Sequence, residues 1–550
     1  MENPLLLMIT GADSFAIAFA VPSAAEKLID ALFDDTFAGV HSLAAFDYFI
    51  LVPYFLMLSV LSFYGCHRFA MIHGYFKGLK NMPKEPLHRF TVMPKVTIQL
   101  PLYNERYVVE RLLESAVKVR YPAGLLQIQI LDDSTDDTAA FTQDLAASYV
   151  ERGFNVEYRH RKNRQGYKAG ALQAGLPTAT GELIAIFDAD FVIPEDFLEN
   201  TVHYFTEENV GVVQTRWSYL NRHSNLLTEV QTMLLDGHFI LEHGARAGTG
   251  LFFNFNGTAG IMRKTMVEDA GGWQHDTLTE DSDLSYRAQL KGWRFVYLPH
   301  VHCPSELPTE TFSFQVQQSR WAKGLTQVSL KLLKTILQTK LPWRVKLEAI
   351  CHLTPNISYP LMIVVSLLML PVMIVRFYMG PLEMLLLDFP LIIANFVSLT
   401  AFYLIAQREL DPKGWKRTIW FMPALMAAGV ALTLSNTKAV IEALLGVKTS
   451  FARTAKYNLS DKTIRIDQAE YRRKSGLLPF FEIVMGTAFA AMVYYCVESL
   501  NFLSIPFLMI FVSGYYWAGF STLWQEYQGL LQFKAATKAA LEAAPQQINR

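Results

Sequence analysis

Two aspartate pairs follow directly after short apolar segments in this chain of 550 residues. Asp132 and Asp133 follow one segment, and Asp188 and Asp190 follow another. Such segments favour buried β-strands, and the ligands of an open α/β sheet gather at the carboxyl ends of its strands. Two carboxylates one residue apart can hold a divalent ion that neutralises phosphate groups. We therefore predict a metal site at Asp188 and Asp190, although a lone Asp-x-Asp is also common in surface turns.

A second acidic cluster, Thr279-Glu280-Asp281, precedes apolar residues at helical spacing. It therefore lies where a helix is predicted to begin. A carboxylate held there at a cleft could take the proton of an attacking hydroxyl group, and we predict that Asp281 is this base. The alternative is that these acids only cap the helix and complement its dipole.

A third motif, Gln317-Gln-Ser-Arg-Trp321, lies in the predicted helix 311–333. Arg320 can pair with phosphate oxygens, and Trp321 can stack on the face of a sugar ring. An amphipathic helix against a bilayer would show similar residues. Taken together, the three motifs predict the transfer of a sugar from a nucleotide diphosphate donor, with inversion.

The elements that must position these residues alternate between strands and helices. Strands are predicted at Val96–Leu100, Gln127–Leu131, Val156–Arg159, Leu183–Phe187 and Gly211–Thr215, with helices starting at Glu105, Thr138 and Tyr167. The change between periods of 2 and 3.6 residues is typical of a mainly parallel sheet with covering helices. We predict one α/β domain over 92–340.

Composition indicates a soluble domain within a membrane protein, because 51% of the residues are hydrophobic while 18% are charged. The 49 basic and 50 acidic residues give a formal charge of −1. This balance offers no electrostatic footprint for nucleic acid, so we expect none as a partner. The 4 cysteines are far apart and predict neither a disulfide framework nor a zinc site.

The first predicted membrane span, Tyr48–Cys66, lies in an N-terminal region (1–91) that begins with an interfacial apolar segment. Basic residues follow this span, which places 92–340 in the cytoplasm. Further apolar runs define a transmembrane region, 341–525, followed by a cytosolic tail, 526–550. These runs are Ile357–Val375, Asp388–Ile405, Ile419–Leu434, Pro479–Val497 and Phe502–Phe520.

The run at 419–434 has basic residues on both flanks, so a single crossing would violate the charge bias. We predict that 415–445 is a helix pair on the membrane surface, which leaves five spans. The alternative is a sixth true span. The expected location is the inner membrane of a bacterium, with several spans and the catalytic domain in the cytoplasm.

With these motifs the chain resembles the processive family 2 glycosyltransferases, which include cellulose, hyaluronan and curdlan synthases. It is most similar to bacterial proteins that resemble the plant cellulose-synthase-like mannan and glucomannan synthases. The resemblance covers about 45–525 and implies a GT-A type catalytic domain inserted in an α-helical transmembrane domain. It implies that Asp281 is the catalytic base and that Asp188 and Asp190 bind Mg²⁺ or Mn²⁺.

The resemblance also implies two sets of binding residues. The donor nucleotide would contact Tyr103, Glu105, Asp132, Asp133, Lys168, Asp188, Arg320, Thr454 and Lys456. The acceptor glycan would contact Asn256, Gly257, Thr258, Glu280, Gln317 and Trp321.

The segment Phe451-Ala-Arg-Thr-Ala-Lys456 is similar to the gating loop of that family, which closes over the nucleotide. This implies that the loop 446–475 is cytoplasmic, as the flanking charges also indicate. Arg453 departs from the valine that the family often has, while Thr454 and Lys456 remain. A basic loop attracted to anionic lipid is the alternative interpretation.

From these features we expect an inverting β-glycosyltransferase that extends a β-linked polysaccharide from UDP-glucose and passes it through the membrane. The alternatives are a GDP-mannose enzyme making mannan or glucomannan, and an enzyme that makes one transfer to a lipid. A transporter is not expected, because ionisable residues stand only at the span ends. The sequence leaves export partners and the oligomeric state open.

Overall fold

The computed structural model describes residues 43–83, 85–376, 390–391, 393–449, 475–499 and 501–543, with side chains described up to 531 and not at 503. Its strands are β1 (Val96–Leu102), β2 (Leu126–Asp132), β3 (Val156–His160), β4 (Leu183–Ile186), β5 (Val210–Tyr219), β6 (Gly260–Arg263) and β7 (Arg294–Ser305). They form one sheet in the order β3-β2-β1-β4-β6-β5-β7.

The sheet is mainly parallel, as predicted. β1 pairs in parallel with β2 and β4, β2 with β3, and β5 with β7. The exception is β6, a strand of 4 residues that runs antiparallel to both β4 and β5. Alternate residues of β4 enter separate apolar clusters, which explains why a continuous apolar run forms this central strand.

Helices cover both faces of the sheet. In the α/β part of the chain they are α2 (Val109–Val117), α3 (Thr138–Glu151), α4 (Tyr167–Gly175), α5 (Phe197–Thr201), α6 (Leu226–Gly237), α7 (Gly244–Thr249), α8 (Lys264–Asp269), α9 (Glu280–Leu290), α10 (Thr311–Gln338) and α11 (Trp343–Leu353), with a π-helical segment at His238–His243 between α6 and α7. The helix predicted from Glu105 begins only at Val109, because the backbone turns at Asn104 with a φ of 55°.

The remaining helices include the long apolar ones. They are α1 (Ala45–Gly78), α12 (Ser358–Arg376), α13 (Ser398–Leu410), α14 (Met422–Ala431), α15 (Thr433–Leu444), α16 (Leu478–Glu498) and α17 (Ile505–Ala543). Within the described residues, 4 segments are long and apolar enough to cross a membrane: Ala45–Asn81, Pro355–Arg376, Trp415–Leu444 and Leu478–Glu498. The predicted span at 388–405 lies only partly within the described residues.

Segment 415–444 differs from the other three candidate spans. Its helical path is interrupted at Leu432, where α14 ends and α15 begins. About 56% of its most apolar window is buried inside the protein, against 22–28% for the others. The ammonium of Lys323 on α10 contacts the Glu442 carboxylate of α15 at 2.8 Å. The predicted surface helix pair stays a prediction, since length and composition alone also allow a crossing.

A buried ion network joins the α/β part of the chain to the first long helix. Arg246 on α7 is only 2% exposed, and its Nε donates to Glu348 Oε1 on α11 at 2.8 Å. The other oxygen of Glu348 lies 2.8 Å from Nε2 of His67 on α1. Glu242 adds a weaker contact to Arg246 at 3.4 Å. A buried guanidinium is tolerated only when it is paired, so these contacts fix three elements together.

We expect Glu348→Gln to lower the stability of the protein by about 3 kcal/mol, because it leaves Arg246 with one distant carboxylate in a buried site. Thermal unfolding in detergent measures the change. Glu195→Gln is the matched control, since Glu195 pairs with Arg120 while 58% exposed, and such surface pairs contribute about 0–1 kcal/mol. Equal shifts for both variants would contradict a structural role for the network.

Candidate active site

One cleft at the carboxyl ends of the strands collects most of the predicted site residues. The predicted residues that line it are Tyr103, Glu105, Asp133, Lys168, Asp188, Asp190, Asn256, Gly257, Glu280, Asp281, Gln317, Arg320 and Trp321. They come from seven separate parts of the chain, so the fold brings together motifs that are far apart in sequence. Thr454 and Lys456 lie outside the described residues, as does the whole segment Phe451–Lys456.

The short antiparallel strand β6 positions the loop at 256–258 against the end of β4. Ile186 pairs with Gly260, so the chain that precedes β6 runs back along the chain that follows β4. As a result, the backbone N–H of Asp188 donates to Thr258 Oγ at 2.9 Å. Thr258 is buried and is not among the residues that line the cleft, so in the structure it contacts Asp188, and its contact with an acceptor stays a prediction.

Lys168 holds this arrangement from the side of α4. Its ammonium lies 2.5 Å from Asp188 Oδ1 and donates to the Gly257 carbonyl at 2.9 Å. Burial alone would lower the pKa of Lys168, but the nearby carboxylates of Asp188 and Glu280 outweigh it and raise that pKa. Lys168 therefore stays charged in the cleft.

Asp281 lies against the same loop, in the first turn of α9. One of its oxygens accepts the Ser282 N–H at 2.7 Å. The other lies so close to Gly257 that a Cβ on this glycine would be 2.8 Å from it. Burial, together with the neighbouring charge of Glu280, raises the pKa of Asp281 to about 7. Burial also raises the pKa of Glu280. A carboxyl group with a pKa near neutrality is suited to accept a proton.

Helix α10 closes the opposite wall and presents Gln317, Arg320 and Trp321 to the cleft. It approaches closely because Gly324 has no side chain, and a Cβ there would meet Thr279 at 2.5–2.8 Å. The glycine thus brings the residues of α10 next to the start of α9.

Asp283, two residues after Asp281, has a structural role in the first turn of α9. It is fully buried and pairs with Arg287 at 2.8 Å and with Lys331 of α10 at 2.9 Å. Asp283 therefore anchors α9, whereas Glu280 and Asp281 line the cleft. Capping alone does not account for the cluster.

The charge of the cleft favours a bound cation. Its lining carries 7 carboxylate side chains (Glu105, Asp133, Asp188, Asp190, Glu280, Asp281 and Glu306) and 3 basic ones (Arg164, Lys168 and Arg320). A diphosphate would add further negative charge. Mg²⁺ is typically held by one or two carboxylates together with substrate phosphates, and Asp188 and Asp190 fit that donor set. Within the described residues, no group of three or more His, Cys, Asp or Glu side chains forms a complete metal site.

Asp132 and Asp133 have different surroundings in the structure, and the contact of both with the donor stays a prediction. Asp132 is fully buried, and its carboxylate accepts from the Ser134 N–H and the Tyr158 hydroxyl, each at 2.8 Å. Asp133 lines the cleft and pairs with Arg161, whose Nε lies 2.7 Å from its Oδ1. In the structure Asp132 therefore holds the turn at Ser134 and the side chain of Tyr158 in place.

Sequence analysis missed three residues of the cleft. The Arg164 guanidinium stacks 3.3 Å from the ring centroid of Tyr103. Trp217 lies near the end of β5, and Glu306 follows β7 while only 2% exposed. The predicted strand at Gly211–Thr215 ended too early to place Trp217, and β7 was not predicted. Arg164 alone had a local signal, since it lies four residues before Lys168.

Part of the chain is similar to known glycosyltransferases. Residues 94–324 match the family described as glycosyltransferase-like family 2. The chain is 40% identical over 262 residues to glucomannan 4-beta-mannosyltransferase 1 of Cyamopsis tetragonoloba, covering 47% of this chain and 50% of that protein. It is 40% identical over 252 residues to glucomannan 4-beta-mannosyltransferase 2 of Arabidopsis thaliana, covering 45% and 47%. The matched region thus spans about half the length of these relatives.

Among solved structures, a mannosyltransferase from Pyrobaculum calidifontis in complex with GDP-Man and Mn²⁺ is similar in fold. The TM-score is 0.50 at 21% identity, covering 71% of this chain and 100% of that chain. The mainly parallel sheet with its acidic cleft is a GT-A fold. More particularly, the chain carries a glycosyltransferase domain of family 2, related to the cellulose-synthase-like glucomannan mannosyltransferases.

We expect Gly257→Ala to destabilise the protein more than Gly292→Ala does. Both glycines have a positive φ, 79° and 93°, where an L-residue costs about 1–2 kcal/mol. A Cβ at Gly292 would meet nothing within 4 Å, whereas one at Gly257 would press on the Asp281 carboxylate. Thermal unfolding of the two variants separates backbone strain from this contact. Identical unfolding temperatures would show that Asp281 is not held against the loop.

Proposed function

We propose that this chain is an inverting membrane β-mannosyltransferase that extends a mannan or glucomannan from GDP-mannose. The observation that carries the proposal is the position of Asp281, which is half-buried in an acidic cleft against Gly257 and beside Asp188. This arrangement supplies a base, a phosphate-binding cation and a pair of aspartates for a metal in one cleft. Such a set is what the departure of a nucleoside diphosphate and the attack of a sugar hydroxyl require.

The choice of donor rests on the relatives. The curated proteins described above are all glucomannan 4-beta-mannosyltransferases, and further proteins with that name match at 36–42% identity. They support GDP-mannose, the alternative donor of the sequence analysis, over UDP-glucose. No feature of the described cleft favours a single transfer to a lipid.

In the proposed reaction some side chains of the cleft neutralise the leaving diphosphate, and others act on the acceptor sugar. Lys168 and Arg320 provide positive charge for the diphosphate that leaves the sugar. A divalent cation at Asp188 and Asp190 would supply further charge neutralisation to that diphosphate when bound. Asp281 accepts the proton of the acceptor hydroxyl as that oxygen forms its bond to the anomeric carbon. Trp321 offers its ring face to the acceptor sugar.

The membrane helices support a further part of the proposal, namely that the polymer forms on the cytosolic side and is passed across the bilayer. Helix α10 lines the cleft and also contacts α15 of the apolar region through the Lys323–Glu442 ion pair. The basic flank after the first span supports a cytoplasmic cleft. In a bacterium this would place the enzyme in the inner membrane, with 446–475 on the same side as the cleft.

Incubation of the purified protein with radiolabelled GDP-mannose, UDP-glucose or UDP-GlcNAc, with Mn²⁺ or Mg²⁺, tests the proposed function. We expect incorporation from GDP-mannose into a product that β-mannanase degrades, and loss of incorporation in excess EDTA. Incorporation from UDP-glucose alone, into a cellulase-sensitive product, would overturn the choice of donor. Full activity in EDTA would remove the role of Asp188 and Asp190 in metal binding.

Asp281→Asn should reduce kcat by about 100-fold or more with little change in donor binding, because the amide cannot accept the proton. In the wild-type enzyme, kcat/KM should fall as the pH drops below about 7, since the raised pKa leaves Asp281 protonated there. Asp269→Asn, an exposed carboxylate on α8, is the control for general effects of the substitution. Near wild-type turnover of Asp281→Asn would refute the base.

A further inference from the structure

The turn after β4, residues 188–193, carries both proposed metal ligands and lies against the end of β7. Phe191 forms an antiparallel bridge with Ser305, and the Val192 N–H donates to the Pro304 carbonyl at 2.9 Å. These contacts are not part of a regular strand pair, since β6 and β5 lie between β4 and β7 in the sheet. They fix the chain just after the second proposed ligand.

Helix α2 holds the same turn through two side chains. Ser115 Oγ accepts the Ile193 N–H at 3.1 Å, and Arg111 Nη2 donates to the Asp190 carbonyl at 3.4 Å. Arg111 and Ser115 are four residues apart, so they lie on one face of the helix. Arg111 therefore contacts the backbone of a proposed metal ligand from outside the sheet.

The guanidinium of Arg111 is itself held by a buried carboxylate. Both of its terminal nitrogens lie 3.4 Å from Glu306 Oε2, and Glu306 is only 2% exposed. A buried carboxylate needs a compensating charge, so the two side chains keep each other in place. Glu306 lines the cleft, whereas Arg111 is not among the described residues that do. Contacts of this length in a ligand-free site often shorten when the ligand binds.

We propose that Arg111 is a positioning residue for the metal site. Held by Glu306, its guanidinium fixes the Asp190 carbonyl and thereby sets the place of the Asp190 carboxylate relative to Asp188. Groups that orient metal ligands affect affinity strongly, because the cation needs its oxygens at defined distances. Arg111 acts through Asp190 and does not touch the cation or the sugar. The inference rests on the proposed function, since it assumes a divalent cation at the two aspartates.

Positioning and simple electrostatics predict opposite effects when the guanidinium is removed. Arg111→Met deletes a positive charge near the proposed cation and leaves Glu306 uncompensated, so electrostatics alone would tighten cation binding. A positioning role predicts weaker binding, because the Asp190 ligand loses its support. The double variant Arg111→Met/Glu306→Gln keeps the net charge constant. It leaves no buried charge of the pair uncompensated, so it also covers a failure of Arg111→Met to fold.

Binding of Mn²⁺ to the full chain in detergent with GDP present, measured by electron paramagnetic resonance of the free ion, tests the proposal without turnover. We expect Arg111→Met and the double variant each to weaken Mn²⁺ binding about 10-fold. Arg111→Lys keeps the charge with fewer donors in a different geometry, so its affinity should lie between these values and wild type. Arg120→Met is the matched control, because this arginine pairs with Glu195 and Glu199 farther along the same chain segment while 53% exposed.

The transfer assay separates positioning from a general loss of structure. In Arg111→Met the Mn²⁺ concentration for half-maximal activity should rise about 10-fold, while kcat at saturating Mn²⁺ stays within about 2-fold of wild type. A general loss of folded protein would instead lower the rate at every Mn²⁺ concentration.

Three outcomes would overturn the proposal. Unchanged or tighter Mn²⁺ binding by the folded Arg111 variants would contradict the positioning role alone. Equal weakening in Arg120→Met would show that the effect is not specific to this contact. Wild-type protein without GDP-dependent Mn²⁺ binding would remove the metal site of the proposed function, and this inference with it.

Discussion

The candidate site depends on the need to keep buried charges paired. Lys168 meets this need at the centre of the cleft, where one ammonium contacts the Asp188 carboxylate and the Gly257 carbonyl. These contacts join helix α4, the end of strand β4 and the loop before β6. An unpaired carboxylate in this position would be costly, so the positions of the three elements are coupled. Asp281 and Glu280 then lie beside a positive charge that is fixed in place. The pKa of Asp281 is still raised, because burial and the neighbouring charge of Glu280 outweigh the lowering effect of Lys168.

The reversed strand β6 makes this arrangement possible. A parallel strand beside β4 would carry its following loop to the same edge, but its preceding loop to the opposite edge of the sheet. Because β6 runs antiparallel, the loop at 256–258 precedes the strand and still reaches the catalytic edge. Gly257 adopts the positive φ of this loop, and its lack of a side chain leaves room for Asp281. One short strand thus brings the backbone of a distant segment under the proposed base.

The features that were predicted correctly are those set by residues close together in the sequence. The strands before Asp132 and Asp188 were recognisable as apolar runs, and Thr138 and Tyr167 do begin helices. β6 has only 4 residues, and its pairing direction depends on contacts that a single sequence does not display. The different surroundings of Asp132 and Asp133 were also hidden, because only the packing of Tyr158 turns the first carboxylate inward. Trp217 lay beyond the predicted end of its strand, and it lines the cleft because of the position of β5 in the sheet.

The pairing of Arg246 with Glu348, and of Glu348 with His67, has a consequence for how the enzyme can be divided. A fragment cut to the α/β domain alone, at 92–340, would keep the guanidinium and lose both of those partners. It would expose the Arg246 guanidinium, with only its 3.4 Å contact to Glu242, on the surface that normally faces the first helix and α11. Solubility tags would not repair this defect, because they would not replace the side chains of Glu348 and His67. A secreted or cytosolic version of the domain would therefore need a neutral residue at 246, or α11 retained as a covering segment.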